Sequence, residues 1–141
     1  MILDTSLLVA AEREEFDFGR FVEGEKIEDA RIAAITASEL LQGVERARPG
    51  AARRKREDFV ESVLDRLPVE PFTIETARIH ARLWARLASR GALVGAHDLI
   101  IAATALETDL AVATLNEKDF RRIEGVTLAP TRPYLQRAGR T

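Results

Sequence analysis

The sequence has no cysteine and only two histidines among its 141 residues. These absences exclude disulfide scaffolds, thiolate zinc sites, cysteine nucleophiles and a His-rich metal site. No apolar run approaches the roughly 20 residues that cross a bilayer. Residues 1–15 also carry no basic segment ahead of an apolar one. We therefore expect no signal peptide, no membrane association and a cytoplasmic location.

An excess of charge of either sign is missing as well. The 21 basic and 23 acidic side chains give a net charge of −2, so a polyanion could bind only at a local basic patch. Apolar residues make up 46% of the chain, which is enough for a packed core and excludes a disordered protein. We predict one domain over residues 1–130, followed by a basic tail over residues 131–141.

Short apolar runs alternate with helical patterns along the chain. The runs are brief and lack polar alternation, which is typical of buried parallel strands. They lie at 1–3, 31–35, 69–72, 110–115 and 126–128. The run at 69–72 is the weakest, because Pro71 cannot donate to a sheet ladder and suits only an edge. Strands separated by helices predict an α/β fold with a central, mainly parallel sheet.

Polar side chains that can bind metals follow these strands or open a helix. The set consists of Asp4, Glu39, Asp98, Asn116 and Asp119. The carboxyl ends of parallel strands meet at one edge of a sheet, so we expect these side chains to converge there.

Taken singly, these residues also suit roles at helix ends. Asp4 suits a helix N-cap, and Thr36 with Glu39 matches a capping box. Asp98 would be favoured by the helix dipole in a first turn, and Asn116 could cap a short turn with an acidic partner. The local patterns alone do not decide between a cap and a site.

Convergence of these carboxylates favours a metal site. Two unit charges 4 Å apart repel by roughly 4 kcal/mol at an effective dielectric near 20, so a cluster of acids needs a cation. Mg²⁺ and Mn²⁺ prefer oxygen ligands and can activate water and stabilise a phosphate oxygen. The residues therefore indicate a metal-dependent phosphoryl-transfer site.

Other chemistries have weaker support in the sequence. No glycine-rich phosphate loop is present. Ser6 and Ser38 have no evident histidine partner, since His80 falls within a helix and His97 suits a solvated loop, which argues against a catalytic triad. A receiver-type regulatory domain needs two acids after the first strand, where only Asp4 stands.

Four segments occur in an order that is specific as a set. They are 1–6 (MILDTS), 36–43 (TASELLQG), 98–105 (DLIIAATA) and 113–120 (ATLNEKDF). Together they resemble the motifs of PIN-domain ribonucleases, and within that family the VapC toxins of bacterial type II toxin–antitoxin systems. The resemblance implies a three-layer α/β/α sandwich and Mg²⁺- or Mn²⁺-dependent endoribonuclease activity.

The same resemblance implies roles for the polar residues. Asp4, Glu39 and Asp98 match the acidic metal-ligand positions of the family. The fourth position, aspartate in many members, falls on Asn116, and Asp119 is expected to supply the missing charge. All five are therefore candidate catalytic residues.

Further expectations concern supporting residues and partners. Ser6 and Thr114 are expected to donate hydrogen bonds to the ligands or to a metal-bound water. The family also implies an RNA substrate, a cognate VapB-type antitoxin that covers the site, and a homodimer.

A basic run lies beyond the second motif and contains no acid. Its members are Arg46, Arg48, Arg53, Arg54, Lys55 and Arg56. The run is either a solvated helix face or a surface that holds RNA phosphates. Two classes of function remain open, an active toxin nuclease and a catalytically weak PIN-like module that binds RNA or a partner.

Overall fold

A computed structural model describes residues 1–136, and in this part of the chain helices alternate with very short strands. The strands are β1 (Ile2–Leu3), β2 (Ile32–Ala33), β3 (Val69–Glu70) and β4 (Val112–Ala113). The helices are α1 (Thr5–Glu12), α2 (Phe18–Gly24), α3 (Ala34–Arg46), α4 (Ala51–Arg66), α5 (Ile74–Ser89), α6 (Ala96–Thr108) and α7 (Glu117–Phe120). A 3₁₀ turn follows at Arg132–Tyr134.

All four strands run parallel. β1 pairs with β4 in the register Ile2 to Val112, and β2 pairs with β3 in the register Ile32 to Val69. A parallel bridge between Ile2 and Arg31 joins the two pairs, which places the strands in the order β3, β2, β1, β4. The predicted α/β fold with a central parallel sheet is therefore confirmed.

The strands are shorter than the apolar runs that predicted them. The run at 31–35 gives a strand only at Ile32–Ala33, because α3 begins at Ala34. The run at 126–128 contributes a single parallel bridge, from Leu128 to Val112, instead of a strand. The short apolar runs predicted where the strands lie, but backbone pairing decides how far each strand extends.

The sheet separates two hydrophobic cores. Successive strand residues point to opposite faces, so Leu3 and Ala113 enter one core while Ile2 and Val112 enter the other. The first core packs against α1–α4, and the second packs against α5, α6 and α7. These are the three layers that the family resemblance implied.

Helix α6 is largely apolar and packs closely on the sheet. Its residues Ala102 and Ala103 are fully buried, and their small side chains let the helix backbone approach the strands. The helix ends at Asp109, whose left-handed conformation (φ 56°) turns the chain into β4. This packing fixes the start of α6, and with it Asp98, at the sheet edge.

The segment after residue 130 packs onto the domain. Tyr134 is buried against the rings of Phe16 and Phe21, whose centroids lie 6.4 and 5.4 Å from its own. The amide of Gln136 donates to the carbonyl of Glu15 over 2.8 Å. Contacts with the domain therefore continue beyond residue 130 as far as Gln136, and the boundary at 130 stays a prediction. The rest of the predicted basic tail lies outside the described residues.

No helix in residues 1–136 combines the length and the hydrophobicity that crossing a membrane requires.

Candidate active site

Asp4 stands at the carboxyl end of β1. Its amide donates to the carbonyl of Ala113 over 2.9 Å, which extends the sheet ladder by one step. Its side chain is buried, and Oδ2 accepts hydrogen bonds from Ser6 Oγ at 2.7 Å and from Thr114 Oγ1 at 2.6 Å. These are the hydrogen bonds expected of Ser6 and Thr114.

The cap expectation for Asp4 is only half right. The residue precedes α1 at the N-cap position, but its carboxylate accepts no hydrogen bond from the helix backbone. The side chain is turned toward Thr114, at the end of the neighbouring strand. A buried carboxylate that does not cap its helix is available for a site.

The capping box predicted for Thr36 and Glu39 is wrong. Helix α3 begins at Ala34, so Thr36 lies in the first turn and Glu39 one turn later. Glu39 Oε1 accepts from Thr5 Oγ1 at 2.8 Å, and Glu39 Oε2 lies 3.2 Å from His97 Nδ1. Because β2 runs directly into α3 without a connecting loop, Glu39 is carried to the sheet edge.

The contacts of Glu39 with His97 and Thr5 were not predicted from the sequence. His97 was expected in a solvated loop, yet it lies in the first turn of α6 and contacts Glu39. Thr5 stands between the two motif residues Asp4 and Ser6 and faces α3. Their positions beside motif acids were the available signal, but only the packing of α3 near α6 shows the contacts.

Asn116 links the two remaining acids. Its Nδ2 donates to Asp98 Oδ2 at 2.8 Å and to Asp119 Oδ2 at 3.0 Å. Ionised carboxylates only accept hydrogen bonds, so the amide turns its nitrogen toward them. Asn116 holds the N-cap position of α7, but its side chain does not cap the helix, which corrects the cap expectation.

Asp98 experiences the crowding of negative charge at this edge. Burial, and then the charge of Asp4, raise the pKa of Asp98 to about 6. The hydrogen bond from Asn116 lowers the pKa, while the charges of Asp119 and Glu39 raise it further. All four carboxylates are therefore close enough to interact electrostatically.

The donor set suits a hard divalent cation. It offers carboxylate, amide and hydroxyl oxygens and no thiolate, which matches the preference of Mg²⁺ and Mn²⁺. However, no three acidic or histidine side chains within residues 1–136 are already positioned to hold one ion together. The Asn116 amide spans Asp98 and Asp119, and hydroxyl groups occupy Asp4 and Glu39.

The basic run is divided between internal contacts and solvent. Arg53 Nη1 donates to the carbonyl of Ala47 at 3.1 Å, and Arg56 Nε lies 3.2 Å from Glu12 Oε1. The other four side chains are exposed: Arg46, Arg48, Arg54 and Lys55. Part of the run is thus structural, and RNA binding by the rest stays a prediction.

Three cavities meet along this edge of the sheet. The acidic cavity, of about 460 Å³, contains Asp4, Glu39 and Asp98. A cavity of about 310 Å³ beside α3 and α4 shares Glu39 with it and carries Arg46 and Arg56 on its wall. A third, of about 390 Å³, adjoins the acidic cavity near α7. The site is an open groove with basic side chains beside acidic ones.

The fold and the acidic edge define a PIN domain, and the family model for this domain matches residues 1–126. A ribonuclease VapC from Rickettsia bellii is 35% identical over 123 residues, which is 87% of this chain and 90% of the relative.

Two solved structures extend the comparison. One is VapBC2 from Rickettsia felis bound to a DNA fragment from its promoter, with a TM-score of 0.81, 25% identity, and coverage of 91% of this chain and 96% of that one. The other is VapBC-5 from Mycobacterium tuberculosis, a member of the VapBC family of toxin–antitoxin systems, with a TM-score of 0.73, 32% identity, and coverage of 89% and 91%. The chain therefore belongs to the VapC-type ribonucleases of the PIN-domain family.

Proposed function

We propose that this protein is the toxin of a toxin–antitoxin system and acts as a Mg²⁺- or Mn²⁺-dependent endoribonuclease. The observation that carries the proposal is the meeting of Asp4, Glu39 and Asp98 at one sheet edge, with the pKa of Asp98 raised to about 6 by burial and neighbouring acids. Such crowding is unfavourable without a cation.

The ligand set would consist of Asp4, Glu39 and Asp98. These three residues would hold a divalent cation, which would supply activation of water and stabilisation of negative charge on a phosphodiester. The chain's own residues prepare this set. Ser6 and Thr114 hold Asp4 in place, and Thr5 does the same for Glu39.

Asn116 and Asp119 would complete the site. The Asn116 amide bridges Asp98 and Asp119, so it lowers the repulsion between them while no cation is bound. Turning the amide would offer its oxygen toward the same position. With an amide in place of a fourth carboxylate, the site favours one firmly held cation over a pair.

The partners follow from the relatives. The Rickettsia bellii protein is named a ribonuclease, and the two solved relatives are VapBC structures. We infer that this chain cleaves RNA, pairs with a VapB-type antitoxin that covers the groove, forms a homodimer and acts in the cytoplasm. Arg46, Arg48, Arg54 and Lys55 would hold RNA phosphates beside the acids.

An RNA cleavage assay tests the proposal. The wild-type protein is incubated with total RNA in Mn²⁺ and in EDTA, beside an Asp4→Asn variant. Asp65→Asn is the matched control, since Asp65 is an exposed acid on α4. We expect cleavage only in Mn²⁺, abolished in Asp4→Asn and retained in Asp65→Asn. Equal cleavage by wild type and Asp4→Asn would contradict the proposal.

A second candidate function is a catalytically weak module that binds RNA or a protein partner. The observation that favours it is that no three of the site's acids are already positioned to hold a metal ion together within residues 1–136. The same assay separates the two, because a binding module would retain RNA affinity but show no Mn²⁺-dependent cleavage.

A further inference from the structure

A basic cavity of about 390 Å³ adjoins the acidic cavity near α7. Lys118, Arg121 and Arg132 line it. It shares Leu115 and Asn116 with the acidic cavity, so the two are continuous. It shares no lining residue with the cavity beside α3 and α4. Basic cavities therefore adjoin the acids through two separate sets of residues.

Buried contacts of its neighbours fix the backbone at Arg132 in the wall of this cavity. The preceding residue, Thr131, is buried and donates through Oγ1 to the carbonyl of Thr114 at 3.2 Å and to Glu117 Oε1 at 3.3 Å. Thr114 is itself bound to Asp4. Tyr134, in the core, anchors the other side of Arg132. Arg132 is thus held in place although its side chain is exposed, and it lies beyond the residues that the family model matches.

The charge of this cavity is only partly neutralised. Arg121 is paired with Glu117, at 2.8 Å. Lys118 and Arg132 are exposed, and in the described part of the chain neither forms an ion pair. Uncompensated positive charge next to a site for phosphate chemistry attracts a polyanion.

The lining indicates which polyanion fits. Leu115 and Leu135, the latter 48% exposed, add apolar surface to a cavity whose volume falls in the usual range for ligand sites. A nucleotide uses both kinds of surface, since its base packs on apolar groups and its phosphate binds cations. An acidic peptide would use only the cations.

The length of an RNA strand also favours RNA as the polyanion that this cavity binds. An RNA strand with one phosphate at the acidic centre must continue into the neighbouring cavities. The carboxylates repel its flanking phosphates unless cations lie on both sides. In the cavity beside α3 and α4, Arg56 is already paired with Glu12. Lys118 and Arg132 are free to supply the charge on the other side.

We propose that Lys118 and Arg132 form a subsite for single-stranded RNA, which binds the backbone next to the scissile phosphate. The strand then crosses the acidic edge from the cavity beside α3 and α4 to the cavity beside α7. The subsite rests on the proposed function for its substrate. The side chains of Lys118 and Arg132 set the affinity for RNA and are not catalytic residues.

The test compares two double variants of equal charge change. Lys118→Gln/Arg132→Gln removes the subsite, while Arg78→Gln/Arg82→Gln removes two exposed charges from α5, which lines none of the three cavities. The probe is a fluorescein-labelled, random-sequence, single-stranded RNA. Its affinity is measured by anisotropy in EDTA over a series of KCl concentrations.

We expect the subsite variant to lose affinity on the order of 10- to 30-fold in ~0.1 M salt. The slope of log K against log[salt] should flatten by about 1.4, which corresponds to two single-strand phosphate contacts. The α5 variant should match wild type. The single-turnover rate of Mn²⁺-dependent cleavage by the α5 variant at saturating protein should equal that of wild type, because Arg78 and Arg82 line none of the three cavities.

The failures are distinguishable. A subsite variant that binds RNA like the α5 variant overturns the subsite, whether or not wild type cleaves RNA. If wild type does not cleave but the subsite variant still loses affinity, the proposed nuclease fails and the subsite stands. If the variant retains RNA affinity but loses binding of poly-L-glutamate, the cavity takes acidic peptides and the RNA assignment is wrong. Should the double variant melt early, Lys118→Gln alone decides by the same slope.

Discussion

The acidic edge and the basic surfaces beside it are built in different ways. The side chain of Asp4 is buried and held by two hydroxyl groups, and Glu39 accepts a further hydroxyl from α1. By contrast, Arg54 and Lys118 are exposed, and the described structure gives neither an acidic partner. Chemistry needs fixed groups, whereas attraction for a polyanion needs only charge of the right sign nearby.

The largest effect on the cleavage rate should come from changing an acid at the sheet edge. Asp98→Asn removes a proposed cation ligand and should lower the rate of RNA cleavage at least 10²-fold, since transition-state charge loses its stabilisation. RNA affinity in EDTA should not fall, because the variant is less negative. Single-turnover kinetics with labelled RNA measure both quantities. Cleavage at the wild-type rate would remove Asp98 from the site.

A cation should stabilise the acidic edge. A ligand that binds only the folded state adds RT ln(1 + [L]/Kd), which is about 2.7 kcal/mol at a hundredfold excess over Kd. Mn²⁺ should therefore raise the melting temperature of wild type in calorimetric scans. This Mn²⁺-induced rise in melting temperature should be smaller in Asp4→Asn, and in Asp65→Asn it should equal that of wild type. Identical scans with and without saturating Mn²⁺ would count against a metal site.

Changing the exposed basic residues should alter the affinity for RNA alone. Arg54→Glu/Lys55→Glu should weaken RNA binding roughly tenfold or more and flatten its salt dependence, because phosphate contacts release counterions. Arg53 is unsuitable for this test, since it closes the connection between α3 and α4 through Ala47. Anisotropy titrations in increasing KCl measure the slope, and an unaltered slope would assign these residues to a solvated face.

A smaller effect concerns stability without metal. The pKa of Asp98 is raised to about 6 in the folded protein, above its ordinary value of 3.8. Its contribution to stability is therefore fully present below pH 3.8 and is lost as the pH rises through 6. Asp98→Asn removes the repulsion between Asp98 and the neighbouring acids. In EDTA above pH 6, the free energy of unfolding of this variant should therefore exceed that of wild type by about 1 kcal/mol, after allowance for solvent screening.

Thermal melts in EDTA at several pH values check this expectation, with Asp65→Asn as the control. The advantage of Asp98→Asn over wild type should shrink steadily as the pH falls from 7 to 4. A constant difference at all pH values would mean that Asp98 does not titrate in this range.

The smallest effect should occur at Asn116. Asn116→Asp supplies a fourth carboxylate and should tighten Mn²⁺ binding several-fold in the absence of RNA. It also breaks the bridge between Asp98 and Asp119, so the metal-free variant should be slightly less stable than wild type. Calorimetric titration of this variant and of Asp119→Asn measures the change. If both match wild type in affinity and stoichiometry, neither residue contacts the cation.

Local patterns predicted much of the architecture. The alternation of apolar runs and helices predicted the parallel sheet, and the acids after its strands predicted which edge carries the site. The same patterns misassigned Thr36 to a helix cap, because they do not show that β2 joins α3 directly. They also contain no local signal for the contacts of Tyr134 with Phe16 and Phe21, which depend on the tertiary structure.

The sequence by itself determined the fold class, because apolar runs and helical periodicity are properties of neighbouring residues, and it indicated which acids follow the strands. Only the tertiary structure decided how the side chains are held. Asp4 meets Thr114 across 110 positions, and Glu39 meets His97 where α6 comes close to α3. It also decided that Arg132 lines the cavity next to the acidic one, since a buried hydrogen bond joins Thr131 to Thr114. Such contacts depend on packing between distant elements, which no local pattern encodes.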